Sequence, residues 1–408
     1  MSVAELAKLG GPPVFDPPLY WSDLWPPVTD TGEARLIALY RSRRWTAFDA
    51  PEGRFAAAFA THHDAAHGIF MMNGTVTLQC ALAAFGIGPG DEVIVPALTW
   101  YATASAARYL GATPVFVDVE ADTLCLDTTL IEAAITERTR AIIPVHLYGS
   151  MADIDAVLAI AQRHNLRVIE DCAHAHGGRW LGRALGSFGD VGSFSFQQSK
   201  TMASAEGGIC ITNDPGIAER IFRLKHIGYA PADVQRYVTD RPATDLTCYP
   251  FRATAFQAVL LEDQLPTLDA RLSRYGKSAR YLEERLALTT RVRIQKRGRL
   301  ATCQSYYGLA LMFDDPSYAC VSIDALRDAI AAEGILLMNC WGAVYDFPLF
   351  NFPRSTYRIS DRCPVAESAG RQVLWLHHAY LGLDDAVLDR IVEVIDKVLG
   401  QVARLKRT

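Results

Sequence analysis

Between about Gly68 and Ile211 the sequence alternates short apolar runs with helical patterns, and that alternation is the signature of a parallel sheet covered by helices on both faces. The predicted strands are Ile69 to Met72, Glu92 to Val95, Pro114 to Val117, Ala141 to Val145, Arg167 to Glu170, Gly192 to Phe196 and Gly208 to Thr212. Helices are expected to begin near Thr75, Thr99, Thr128, Asp153 and Pro215, residue types that favour helix starts. After Phe251 the pattern becomes one long helical reading through about Leu286. A mixed run follows, with a strand near Tyr306 to Phe313 and helices near Ile323 to Glu333 and Asp384 to Val398. The expected fold class is therefore α/β, a mostly parallel central sheet covered by helices, with a smaller C-terminal α+β domain. The expected division is an N-terminal arm over residues 1–50, a large domain over 51–265 and a small domain over 266–408. The proline- and aromatic-rich arm reads as a segment draped over a surface, with a partner subunit as one candidate.

A chain of 408 residues, half of them hydrophobic, can bury the core such a plan requires. Its 40 basic and 45 acidic residues are well mixed and leave a formal charge of −5, so no basic face favours nucleic acid or an anionic membrane. The nine cysteines are scattered and never spaced as C-x-x-C, which reads as reduced cytosolic thiols rather than a disulfide framework or zinc site. Gly10, Gly11, Pro12, Pro13, Pro17 and Pro18 stand where a secretory signal needs an apolar run. The long uncharged stretches are too short or too interrupted to span a bilayer. The expectation is a cytoplasmic protein acting on small molecules.

The segment richest in chemistry is Val168-Ile-Glu-Asp-Cys-Ala-His-Ala-His-Gly177, followed by Gly192-Ser-Phe-Ser-Phe-Gln-Gln-Ser-Lys200. A strand delivers Asp171 at its carboxyl end, where open α/β sheets bind ligands. A carboxylate there can hold a pyridinium nitrogen protonated, and a lysine such as Lys200 can form a Schiff base with pyridoxal 5′-phosphate and later shuttle a proton. Partial desolvation of Lys200 would favour its neutral, nucleophilic form. Taken alone, a lysine after a strand is usually a surface residue, and an aspartate there is more often a cap. Met72-Asn-Gly-Thr-Val-Thr77 ends a strand and begins a helix, which makes either a phosphate cradle or an ordinary capped helix. Gly86-Ile-Gly-Pro-Gly90 lacks the G-x-G-x-x-G spacing and reads as a helix stop. Val95-Pro-Ala-Leu-Thr-Trp-Tyr101 presents two aromatic rings at a strand end, one of which could lie on a heteroaromatic cofactor or belong to the core.

Taken in order, these segments resemble the DegT/DnrJ/EryC1/StrS family of sugar and cyclitol aminotransferases, which have the fold type I, aspartate aminotransferase-like architecture. The resemblance runs from roughly residue 50 to the end and includes Asn73-Gly-Thr75, Pro96-Ala-Leu-Thr-Trp100, Pro144-Val-His-Leu-Tyr-Gly149, Glu170-Asp-Cys-Ala-His174, Ser193-Phe-Ser-Phe196, Lys200 and Glu206-Gly-Gly208. It implies Lys200 as the Schiff-base lysine, Asp171 as partner of the pyridine nitrogen and His174 as a contact near the phenolic oxygen. It also implies Trp100 as the stacking ring and Gly74, Thr75 and Ser195 as phosphate contacts. No metal is implied: His63 and His67, four residues apart, read as structural. Two departures stand out. Many members read Tyr-Asn-Tyr-Arg, with the Asn reaching the neighbouring subunit's phosphate, where this chain has Tyr249-Pro-Phe-Arg252, and Pro250 cannot make that contact. Ala205 replaces the usual glycine before Glu206, which is tolerable if its φ is negative.

Within the family, Ser195-Phe-Gln-Gln-Ser-Lys200 and Leu374-Trp-Leu-His-His378 look closer to the keto-cyclitol (scyllo-inosose type) aminotransferases and the aminohydroxybenzoate synthases. The implied reaction moves an amino group from an amino acid, L-glutamine or L-glutamate, to a keto-cyclitol or keto-sugar, as in aminoglycoside biosynthesis. The implied assembly is a homodimer with sites at the interface. Competing readings are a dehydratase like the aminohydroxybenzoate synthases, a nucleotide-sugar aminotransferase, and an inactive partner subunit. Retention of both Lys200 and Asp171 argues against the last.

Overall fold

The computed structural model describes residues 5–46, 50–231 and 245–407. Its largest element is an eight-stranded sheet. Seven of the strands are β1 (His67–Met71), β2 (Glu92–Pro96), β3 (Thr113–Val117), β4 (Thr139–Ile142), β5 (Arg167–Asp171), β6 (Val191–Ser195) and β7 (Gly208–Thr212). A second sheet of four strands contains β8 (Arg293–Ile294), β9 (Gly308–Met312), β10 (Leu337–Asn339) and β12 (Val373–His377). The short β11 (Arg358–Ile359) lies between β10 and β12 in sequence but returns to the large sheet, parallel to β3. The large-sheet order is β1-β7-β6-β5-β4-β2-β3-β11, and only β7 runs against its neighbours. The small sheet, ordered β8-β9-β12-β10, is antiparallel throughout.

The near-continuous apolar reading of the central strands follows from burial on both faces. In β2, Ile94 joins the core on one side of the sheet while Val93 and Val95 join the core on the other. The same split separates Val115 from Phe116 in β3. Phe116 is fully buried, and truncating a ring of this kind to alanine costs roughly 3–5 kcal/mol.

The expected strands all form, with ends displaced by no more than three residues and Gly208–Thr212 matching at both ends. The helical expectations hold less evenly. Near Thr128 only a 3-10 turn and one α turn, Ile131–Ala134, form before the chain extends at Ile135. The single long helix is two, Ala255–Gln264 and Leu268–Thr289, divided by the turn Leu265–Thr267. Pro266 sits at that division, where its missing N–H interrupts the helical ladder.

The N-terminal segment lies on its own chain. Phe15 N and Leu19 N donate to the carbonyls of Glu333 and Gly334, and Leu6 is buried. The helix Asp30–Ser42 packs on Ala255–Gln264, where Thr29 Oγ1 donates to Asp263 at 2.5 Å.

Candidate active site

At the carboxyl end of β5, Glu170 and Asp171 divide the work. Glu170 is fully buried, and its carboxylate accepts the N–H groups of Gly186, Phe188 and Gly189 at 2.8–2.9 Å, fixing the turn that leads into β6. Asp171 faces the cavity beyond the strand ends. Its Oδ2 accepts from Thr103 Oγ1 at 2.8 Å and its Oδ1 from Ala173 N at 3.1 Å. Burial pushes its carboxyl upward, while the Thr103 and Ala173 bonds and the nearby Lys200 charge pull it down. A carboxylate held this way keeps lone pairs for a cationic N–H donor.

β6 ends at Ser195, and the chain then turns sharply into Lys200, whose N–H donates to Gln197 O at 2.8 Å. Gln197 Oε1 braces the turn by accepting from Ser199 N and Oγ at 2.9 and 2.7 Å. Lys200 Nζ lies 4.5 Å from the centre of the Tyr307 ring. Burial drives its amine down to about 8, against the opposing pull of Asp171 and Glu206.

His174 stacks on Tyr307 with ring centres 3.8 Å apart, and its Nδ1 accepts the Tyr148 N–H at 3.2 Å. Nε2 therefore carries the hydrogen, and burial holds the imidazole neutral by pushing its pKa well down. To offer that N–H, Tyr148 adopts φ 55°, and the next residue can only be glycine: a Cβ on Gly149 would stand 1.2 Å from Ser305 O.

Past β1, Asn73 caps the helix Gly74–Ala84 by accepting Val76 N at 3.0 Å, so the first N–H groups of that helix remain for an anion. Ser195 approaches so closely that a Cβ on Gly74 would stand 2.7 Å from the serine Cβ. Past β2, Trp100 remains 37% exposed and its ring centre stands 5.3 Å from that of Trp341.

Gly74, Thr75, Trp100, Asp171, His174, Ser195 and Lys200 all line one cavity of about 480 Å³. Gln197, Glu206, Tyr307 and Trp341 share it and were not singled out from the sequence. Gln197 and Glu206 lie inside the Ser195–Lys200 and Glu206–Gly208 motifs, which is the signal that could have found them. Tyr307 and Trp341 are single aromatics in the C-terminal region, with no local signal. The condition set on Ala205 fails: its φ is +66°, so this alanine occupies the left-handed region that glycine favours. Pro250 is exposed between Tyr249 N and Phe251 N, which bond to Leu224 O and Lys225 O. His63 is buried, with Nδ1 at 3.0 Å from Phe59 O and Nε2 accepting Gly177 N. His377 and His378 both reach the Ser199 carbonyl, beside Lys200. Much of the loop from Tyr229 to Thr247, expected to read the acceptor, lies outside the described residues.

The sequence profile of the DegT/DnrJ/EryC1/StrS aminotransferase family matches residues 29–396. The chain is 37% identical to the L-glutamine:2-deoxy-scyllo-inosose aminotransferase of Micromonospora echinospora, over 98% of this chain and 99% of that protein. It is 35% identical to the L-glutamine:scyllo-inosose aminotransferase of Streptomyces griseus, over 99% and 100% of the two. Among solved structures, 3-amino-5-hydroxybenzoic acid synthase superposes with a TM-score of 0.83 at 32% identity, over 93% of this chain and 98% of that one.

Proposed function

The chain belongs to the DegT/DnrJ/EryC1/StrS aminotransferase family, whose members depend on pyridoxal 5′-phosphate, and from that premise we propose that it moves the amino group of L-glutamine onto a keto-cyclitol, with the cofactor held at Lys200. The observation that carries the reading is the convergence of a desolvated amine, a buried carboxylate and an open helix N-terminus on one cavity. The donor set fits a phosphorylated pyridine. Gly74, Thr75 and Ser195 would hold the phosphate, Trp100 would cover a ring face, Asp171 would pair with the ring nitrogen and His174 would donate to the phenolic oxygen. When bound, the cofactor supplies an aldehyde for the lysine and a ring that withdraws electrons from the carbon losing its proton.

The protein's own groups do the rest. Lys200, with its amine near 8, holds enough neutral form near neutral pH to act as a nucleophile and then to carry a proton at Nζ. Asp171, with both oxygens already bonded, keeps a fixed orientation toward a cationic N–H. Neutral His174 donates without adding a charge that would compete with Lys200. The cavity is walled by Trp100, Tyr307 and Trp341, which leave flat apolar faces suited to a ring.

The choice of L-glutamine and of a cyclitol ketone rests on two relatives matched over nearly their full lengths. A homodimer in the cytoplasm completes the reading, and among the described residues no helix is long and apolar enough to cross a membrane. To test the function, the purified protein is loaded with pyridoxal phosphate and reduced with borohydride, and the cofactor is expected on Lys200 by peptide mapping. In a separate, unreduced sample, L-glutamine should discharge the lysine-bound absorbance and scyllo-inosose or its 2-deoxy form restore it. Failure of every ketone, with conversion of an aminodehydroshikimate instead, would replace the transaminase by a dehydratase. Sedimentation tests the dimer.

A further inference from the structure

The peptide carbonyl that precedes Lys200 is held from two sides. Ser199 O lies 3.0 Å from His377 Nε2 and 3.1 Å from His378 Nε2. A carbonyl oxygen only accepts, so in each ring Nε2 carries the hydrogen and donates. The opposite nitrogens agree: His377 Nδ1 accepts the Ala379 N–H at 3.1 Å, and His378 Nδ1, left without a hydrogen, lies 3.2 Å from the Tyr275 hydroxyl, which can donate to it. Both imidazoles are buried, and burial keeps them neutral. One carbonyl thus uses both of its lone pairs on side-chain donors, although a buried carbonyl is satisfied by one.

The two rings are themselves held in place by the N-terminal segment. Trp21 stacks on His377 with centres 4.2 Å apart and planes 20° apart, and Trp25 meets His378 edge-on at 4.6 Å. The Ser199 hydroxyl adds a third tie, to Tyr307 OH at 3.0 Å, and Tyr307 is the ring beneath the lysine amine. Three side chains from the C-terminal region, His377, His378 and Tyr307, therefore bond the one residue before Lys200, and two more from the N-terminal segment hold the imidazoles.

We propose that His377 and His378, locked by Trp21 and Trp25, are positioning residues that aim the Lys200 amine through the Ser199 carbonyl. The N-terminal segment is then part of the lysine's machinery and not only a cover for the small sheet. Lys200 has no direct bond to either imidazole. Its side chain is aimed because the peptide from which it springs cannot rotate: Lys200 N–H is tied to Gln197 O on one side and the Ser199 carbonyl to two rings on the other. The inference rests on the reading of Lys200 as the cofactor lysine only in its kinetic part.

The test compares leucine and glutamine variants at both histidines, because glutamine restores an amide N–H near the place of Nε2 and leucine does not. Two readouts are used on folded protein. In cofactor-free protein, acylation of Lys200 by acetic anhydride is followed against pH by peptide mapping. In protein loaded with pyridoxal phosphate, the single-turnover rate with L-glutamine is measured at saturating donor. The double leucine variant H377L/H378L should slow that rate on the order of 100-fold, with the half-saturating glutamine concentration unchanged, as a misplaced reacting group does. The midpoint of Lys200 acylation should rise from about 8 as the amine leaves its buried position. H377Q and H378Q should recover most of both effects, and Trp21→Ala and Trp25→Ala should show smaller versions of them. A folded double leucine variant with wild-type rate and acylation midpoint would overturn the proposal. So would glutamine variants indistinguishable from leucine ones, a comparison the single variants supply if the double one does not fold. Wild-type protein that fixes no cofactor on Lys200 would end the active-site reading, while the acylation series would still decide the positioning.

Discussion

The two sides of the cavity are assembled differently. On the large-sheet side, neighbouring parallel strands end at the same edge, and each hands over one group: Gly74 and Thr75 after β1, Trp100 after β2, Asp171 ending β5, Ser195 ending β6 with Lys200 just beyond. On the other side, an antiparallel sheet and its loops contribute Tyr307 and Trp341, and His377 stands one layer behind them. The first side places charged groups where charge would change during a reaction. The second supplies ring faces and neutral donors that fix geometry. Substitutions on the large-sheet side should therefore be close to all-or-none, and those on the small-sheet side graded.

The largest expected effect is at Lys200. Lys200→Ala should lower turnover by at least about 10⁴-fold, because both the nucleophile and the proton carrier are removed. Steady-state amination with L-glutamine checks it. Asp171→Asn should follow, costing about 10²–10³-fold in kcat, the scale of losing one preorganised electrostatic partner. If it cost nothing, the carboxylate would be a structural cap and the contrast between the two sides would fail. The amine itself offers a titration. A lysine is reactive when neutral, so the rate at which cofactor-free protein takes up pyridoxal phosphate should rise with pH and level off above about 8, not near the ordinary 10.5. Stopped-flow absorbance across pH 6–10.5 measures the midpoint. Tyr307→Phe probes the small-sheet side: it keeps the ring under Lys200 and removes only the bond to Ser199 Oγ, so a loss of about 3–10-fold in kcat is expected. A loss as large as that of Asp171→Asn from this single bond, rather than from removing both imidazole donors together, would break the comparison from the other direction.

The same contrast explains what could be read from the sequence. A parallel strand and the turn after it are contiguous, so Asp171 with His174, or Asn73 with Gly74 and Thr75, announce themselves as short motifs. Strand order then needs no further information to bring them together, since parallel strands share a carboxyl edge. Tyr307 stacks on His174 from 133 positions away, and nothing near Tyr307 in sequence encodes that meeting. Trp341 and the fold of the N-terminal segment onto His377 and His378 are long-range in the same way. The missed helix break at Pro266 is a different matter. The apolar periodicity continues almost unchanged on both sides of the proline, so the pattern alone reads as one helix although the missing N–H divides it.

Ala205 sits at the seam between motif and geometry and gives the smallest effect. Its φ of +66° places an alanine Cβ against its own carbonyl, a strain of about 1 kcal/mol that glycine does not carry. The conformation is imposed from both sides, since Ala205 O accepts Gln198 N at 3.0 Å and the next residue, Glu206, must face the cavity. Glycine also widens the unfolded ensemble, which offsets part of the gain. Ala205→Gly should therefore stabilise the protein by no more than about 1 kcal/mol, read as a small rise in the thermal midpoint. The Gln198 bond belongs to the turn that carries Lys200, so a relaxed Ala205 should leave the Lys200 acylation midpoint unchanged if the turn is held chiefly by Gln197 and the two imidazoles. A shifted midpoint would show instead that the strained alanine helps to set the lysine, and would move this residue from the seam into the machinery of the large-sheet side.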